Sequence, residues 1–102
     1  MFTIKPKLSK HDQHLETLSK RVENNYDFVL KEVPIYSKRR RLVGEIDMIG
    51  VKNDYCDLFE VKCSHRITKA KMQLRKYKKV IRGKRVRKTY FFCGDSGQLL
   101  II

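Results

Sequence analysis

The chain has 102 residues, 41% of them apolar, and a formal net charge of +13 at pH 7. That length sets one domain over residues 1–102 with a small core, and the apolar share excludes a disordered chain. No run is apolar enough for a membrane span or a secretory leader, and Cys56, Cys63 and Cys93 form no C-x-x-C pair, so the reading is a soluble, cytoplasmic protein with reduced thiols and no membrane partner.

The first periodic segment is a helix over Ser9 to Asn24. Leu8, Leu15, Leu18 and Val22 recur near helical spacing, Ser9 with Asp12 resembles a capping box, and Asn24-Asn25 stops the segment. Tyr26 to Tyr36 is rich in Val, Phe, Ile and Tyr and reads as a strand, in which Pro34 points to an edge or a bulge. Lys38 to Arg41 form an exposed basic turn. Leu42–Val51 and Tyr55–Cys63 read as a hairpin joined at Lys52-Asn53-Asp54. Ile67 to Arg82 forms the strongest helix, with Ile67, Ala70, Leu74, Tyr77 and Ile81 in steps of three and four and Gly83 at its C-terminal end. Thr89–Cys93 is a strand, 94–97 a turn and Gln98–Ile102 a closing strand. The expected order is α-β-β-β-α-β-β, an α/β fold with a mixed sheet flanked by two helices.

Charge is segregated along this order. Lys62 to Lys88 holds 13 Lys or Arg and no Asp or Glu, whereas ten of the 11 acidic residues lie at or before Glu60. A field of that density attracts a polyanion, and release of condensed counterions drives such binding. The segment lacks the large aromatic and Leu stripe of an interfacial membrane helix, so DNA is the expected partner. Lys69, Arg75, Lys76, Lys79 and Arg82 on the second helix, Arg39, Arg40 and Arg41 in the turn, and His65 in the loop are the candidate phosphate contacts.

Two stretches carry chemistry, Gly44-Glu45-Ile46-Asp47 and Glu60-Val61-Lys62. In a strand Glu60 and Lys62 share one face while Val61 takes the other. Pairing across the hairpin brings Asp47, thirteen residues upstream, toward Glu60. Two close carboxylates repel unless a cation lies between them, and hard oxygen donors suit Mg2+, with Mn2+ as a substitute. Lys62 beside them is placed to orient a water or to stabilise charge developing on a phosphate. Those are the parts of a phosphodiester hydrolase. Glu45 shares parity with Asp47 and is a further carboxylate for the site or its edge.

A helix with an acidic residue, a strand with Asp, a strand with (D/E)-x-K and a second helix, in that order, resemble the PD-(D/E)XK nuclease superfamily over nearly the whole chain. Gly44-Glu45-Ile46-Asp47 followed by Phe59-Glu60-Val61-Lys62 is most similar to small archaeal Holliday junction resolvases, although Ile46 stands where the superfamily's name has proline. The resemblance implies a restriction-endonuclease-like core and a metal held by Asp47, Glu60 and Val61. Its helix-borne glutamate, counted back from Phe28, falls on Glu16, with Glu23 as the alternative. Gln73 and Tyr77, four apart on one helix face, resemble the fourth motif of RecB-type members, although Tyr77 as core and Gln73 as its flank is an equal reading.

Three functions remain open on the sequence. The first is a Mg2+-dependent endodeoxyribonuclease acting on branched DNA, which requires paired active sites and hence a homodimer, built through the apolar C-terminal strand. The second is a RecB-like exonuclease or repair nuclease working on ends or single strands. The third is a basic nucleic-acid-binding protein without catalysis, against which the crowding of carboxylates beside a DNA-binding surface argues.

Overall fold

The computed structural model describes residues 8–102, which form an α/β fold of five strands and two helices. In chain order these are α1 (Lys10–Val22), β1 (Phe28–Tyr36), β2 (Leu42–Val51), β3 (Tyr55–Lys62), α2 (Ile67–Val80), β4 (Arg85–Cys93) and β5 (Leu99–Ile101). A single 3-10 turn, Glu23–Asn25, carries the chain out of α1 to the asparagine pair expected to stop it. The strands lie side by side in the order β1-β2-β3-β4-β5. Only β3 and β4 are parallel, because α2 is the crossover between them; the other pairs are antiparallel hairpins. β1 is an edge strand, which is where Pro34 can sit without costing a ladder hydrogen bond.

Each face of the sheet carries one helix. On α1, Leu15, Leu18 and Val22 pack against Met48, Phe59, Val61 and Phe92. On α2, Leu74 and Tyr77 meet Ile46, Ile49, Val51, Cys56 and Leu58, while Ala70 meets Phe91 and Cys93. Leu58 on the α2 side alternates with Phe59 on the α1 side, so β3 is buried on both faces, as a central strand must be. Burying each large side chain contributes roughly 1.5–3 kcal/mol, and such contacts, rather than local propensity, hold both helices.

Several boundaries differ from expectation. α1 starts where the capping pattern placed it, with the Asp12 amide donating to Ser9 Oγ at 3.1 Å. α2 stops at Val80 rather than Arg82, because Ile81 is already extended, and Gly83, at φ +99, serves the following turn instead of capping the helix. β4 begins at Arg85, four residues before Thr89, because parallel pairing with Tyr55 and Cys56 draws a Lys/Arg-rich segment into the sheet. β5 is shorter than 98–102. Among the described residues no helix is long and apolar enough to cross a membrane.

An ion pair between a buried aspartate and an exposed arginine locks the end of the sheet away from the Glu60–Lys62 segment. Asp57 is fully buried on β3 and accepts from Arg87 Nε (3.1 Å) and Nη2 (2.6 Å), Tyr26 Oη (2.6 Å) and the Lys88 amide (3.0 Å). Burial alone would raise its pKa, but Arg87, Tyr26 and the Lys88 amide together hold it below the ordinary aspartate value. Arg87 in turn lies 4.1 Å from the Tyr55 ring centre. Gly50 makes this possible: a Cβ there would stand 2.6 Å from the Tyr26 ring.

Candidate active site

β2 and β3 pair only from Met48↔Phe59 to Val51↔Cys56 and then diverge, so a cleft opens where Asp47 and Glu60 would otherwise have been the next pair. β2 is irregular at the same place. Ile46 faces α2 and Met48 faces α1, although residues two apart in a regular strand share a face. The neighbouring strand shows the cause: Glu32, between the partners of Ile46 and Met48, has φ +51, a left-handed conformation that a residue with a Cβ seldom adopts. Asp47 therefore sits at a break in the alternation. Its Oδ2 accepts the Val61 amide at 2.8 Å, so a side chain satisfies the β3 donor that β2 no longer reaches.

The cleft, about 490 Å3, is lined by His11, Glu45, Asp47, Glu60, Val61, Lys62, Cys63, Ser64, Arg66, Gln73 and Tyr77. Asp47 and Glu60 are 7% and 3% exposed, which is deep for two acids in one cleft. Lys62 Nζ lies 3.7 Å from Glu60 Oε1, while Glu60 Oε2 is buried with no partner. Burial, and then the hydrogen bond and like charge of Asp47, push the Glu60 carboxyl up to about 9, against the opposing pull of Lys62. Without a cation, that shift favours the protonated form of the Glu60 carboxyl near neutral pH.

A divalent cation fits this donor set. Glu60 Oε2 lacks a partner, and a cation would displace the proton that burial favours on this carboxyl. Val61 could contribute only its main-chain carbonyl, since its side chain is fully buried in the α1 core. The side-chain donors are few: among the described residues no group of three or more His, Cys, Asp or Glu converges in a metal-binding arrangement. Two carboxylates with main-chain and water oxygens match how Mg2+ is usually held, because it keeps several of its waters.

The raised Glu60 pKa sets a pH dependence. Between the unfolded value of 4.5 and the folded value of about 9 the native state binds more protons, so raising pH through that window lowers stability. In metal-free buffer the melting temperature should fall from pH 5 to pH 9, and Glu60→Gln should flatten the fall and melt higher than the parent at pH 8. Adding Mg2+ at pH 8 should raise the parent's melting temperature and leave the variant's nearly unchanged. Calorimetric scans of both proteins check this.

The remaining candidates divide. Gln73 and Tyr77 both reach the cleft from α2. Tyr77 is 4% exposed and lies on the backbone of Gly44, where a Cβ would stand 2.5 Å from its hydroxyl; Gln73 Oε1 is buried without a partner. Glu16 lies outside the cleft. It pairs with Lys31 at 2.5 Å, which lowers its pKa, beside a separate hollow that also holds Asp12 and Glu32. Glu23 falls in the 3-10 turn beyond the helix and is exposed. His65 is exposed, its ring 5.8 Å from that of Phe91. Arg39, Arg40, Arg41, Lys69, Arg75, Lys76, Lys79 and Arg82 are all exposed.

Sequence reasoning missed His11 and Arg66. His11 Nε2 lies 3.3 Å from Asp47 Oδ1, so α1 does send a side chain to the cleft, but it is an imidazole one turn before Leu15. The signal was present: His11, Leu15, Leu18 and Val22 form a single i, i+4, i+7, i+11 stripe, from which Glu16 is displaced. Arg66, the residue before α2, lines the same cleft from the opposite side.

Neither family models nor curated proteins give a match to this chain.

Proposed function

We propose that this protein is a Mg2+-dependent deoxyribonuclease with a restriction-endonuclease-like core, hydrolysing phosphodiester bonds at the Asp47–Glu60–Lys62 cleft. The observation that carries the reading is the burial of two carboxylates against each other, with Glu60 Oε2 unpartnered and Lys62 3.7 Å from the same group. A purely structural role leaves that arrangement costly, since burial of like charges side by side is unfavourable without a compensating cation.

When bound, Mg2+ would supply Lewis-acid stabilisation of the charge that develops on the phosphoryl oxygens. The chain's own residues do the rest. Asp47 is fixed by the Val61 amide, so its carboxylate stays oriented without reorganisation. Lys62, on the face of β3 shared with Glu60, hydrogen-bonds the attacking water and stabilises the negative charge that develops on the phosphoryl oxygens. Tyr77, seated on Gly44, fixes the distance between α2 and β2 and so the width of the cleft.

A four-way junction is the favoured substrate. Symmetric cuts need two copies related by a twofold axis, and β5 offers an apolar edge on which Ile101 is 64% exposed. Light scattering at micromolar concentration should give the mass of a dimer; a monomer both alone and on DNA would remove the junction subtype and leave the hydrolase. The placement of Gln73 and Tyr77 together in the cleft favours a second reading, a RecB-like nuclease working on ends or single strands.

Labelled four-way junction, duplex and single-stranded DNA, each with Mg2+ or with EDTA, separate these. Metal-dependent cutting of any of them supports a nuclease, and the preferred substrate decides the subtype. Binding to all three with no cutting in Mg2+ or Mn2+ leaves the non-catalytic alternative.

Binding itself should rest on the basic turn and α2 together. Neutralising Arg39, Arg40 and Arg41 should weaken duplex binding broadly. The slope of log affinity against log salt should flatten by roughly 0.9 for every phosphate that is no longer neutralised. Anisotropy at several salt concentrations measures this. An unchanged slope confines the footprint to α2.

A further inference from the structure

Between the β1–β2 turn and the end of α2 lies a hollow of about 380 Å3, lined by Tyr36, Ser37, Lys38, Val80 and Arg82. The β1–β2 register slips between Ile35 and Tyr36, so Tyr36 pairs with Leu42 at a bulge, a device that re-aims a side chain. Both members of this pair face solvent, Tyr36 at 55% and Leu42 at 64% exposure. The turn that holds them is tied down. Ser37 N donates to Arg41 O and Arg40 N to Ser37 O, both at 2.9 Å, while Arg41 N donates to Ser37 Oγ at 3.3 Å. Residues 38–41 are all cationic.

An exposed aromatic ring on a braced turn, between Lys38 and Arg82, has the chemistry of a nucleotide platform: a π-face for a base and cations for its flanking phosphates. In paired DNA each base face is covered by its neighbours, so only an unpaired nucleotide can use the ring. We propose that this hollow receives an unpaired nucleotide of the DNA, its base on Tyr36 and its phosphates on Lys38 and Arg82. The proposal rests on the nuclease reading and deepens it by naming the substrate class, DNA with unpaired bases near the cut, which favours the form that works on ends or single strands over the fully paired four-way junction. Asp47 lies five residue steps from Leu42, roughly 17 Å along β2. That is the length of about five nucleotide steps along one strand of a duplex.

The chain contains no tryptophan, so Tyr36→Trp introduces a single indole reporter. With EDTA present to prevent cutting, forked or gapped DNA should quench that fluorescence, and a fully paired duplex of equal length should leave it nearly unchanged. Tyr36→Ala should weaken binding of the forked DNA about tenfold, as expected when one base no longer stacks on an aromatic ring, and spare the duplex. Tyr36→Phe should bind both as the parent does. Equal affinity of parent and Tyr36→Ala for forked DNA overturns the proposal, as does a response of the indole to anionic vesicles but not to DNA. If the parent still binds and cuts duplex in that event, the nuclease reading survives alone; if the parent binds no DNA, both fall.

Discussion

Lys62→Ala should lose cleavage by at least about a hundred- to a thousandfold, the usual effect of removing one group that stabilises transition-state charge. DNA binding should persist, because Lys62 is one cation among 24 and the proposed phosphate contacts lie on the basic turn and α2. Metal affinity should change little or rise, since the ammonium competes with a cation for Glu60. Asp47→Ala and Glu60→Ala should abolish cleavage as well, but through loss of metal binding. Single-turnover cleavage combined with calorimetric Mg2+ titration distinguishes the two kinds of defect. Rapid cleavage by Lys62→Ala would falsify its placement beside the reacting phosphate.

The second large effect falls on stability. Asp57→Ala should destabilise the protein by about 1–3 kcal/mol, because it leaves the Tyr26 hydroxyl and the Lys88 amide without their acceptor, while the exposed Arg87 guanidinium turns to water. Small domains have only about 5–15 kcal/mol in total, so the variant should melt clearly below the parent. Asp57→Asn keeps the shape and one acceptor and should lose less. Urea unfolding at pH 7 measures both. A loss below about 1 kcal/mol in Asp57→Ala would show that the pair contributes no more than a surface ion pair does.

Much of this architecture was legible in the chain, and the residues show why. Helix and strand periods are local properties, so α1, α2 and the β2–β3 hairpin emerged from the spacing of Leu15, Leu18 and Val22, of Ala70, Leu74 and Tyr77, and of the residues around Glu60. The start of β4 was not legible: Arg85 to Lys88 are nearly all cationic and join the sheet only because β3 offers them a parallel partner and Asp57 offers Arg87 a buried carboxylate. Asp57 itself stood in view as an acid on the apolar face shared by Phe59 and Val61.

Around the cleft, the shared face of Glu60 and Lys62 was legible because β3 alternates regularly, and the antiparallel hairpin placed Asp47 opposite them. The helix contribution was misplaced for a geometric reason. Counting residues back from Phe28 selected Glu16, whereas the phase of the helix selects His11, which continues the buried stripe toward the open end of the sheet. The irregularity that seats Asp47 had no sequence signature, since nothing in Lys31-Glu32-Val33 announces a left-handed glutamate.

If Asp47 and Glu60 hold the metal on which DNA hydrolysis depends, then removing either the metal or one carboxylate charge must stop the reaction without stopping DNA binding. Cleavage of one labelled four-way junction by the parent and by Asp47→Asn, purified in parallel and titrated with Mg2+, measures both at once. Cleavage should rise with Mg2+ in the parent and stop with EDTA. It should be absent from Asp47→Asn, although the variant folds and still binds the junction. Equal cleavage by the two proteins, or cleavage by the parent that persists in EDTA, would contradict the assignment.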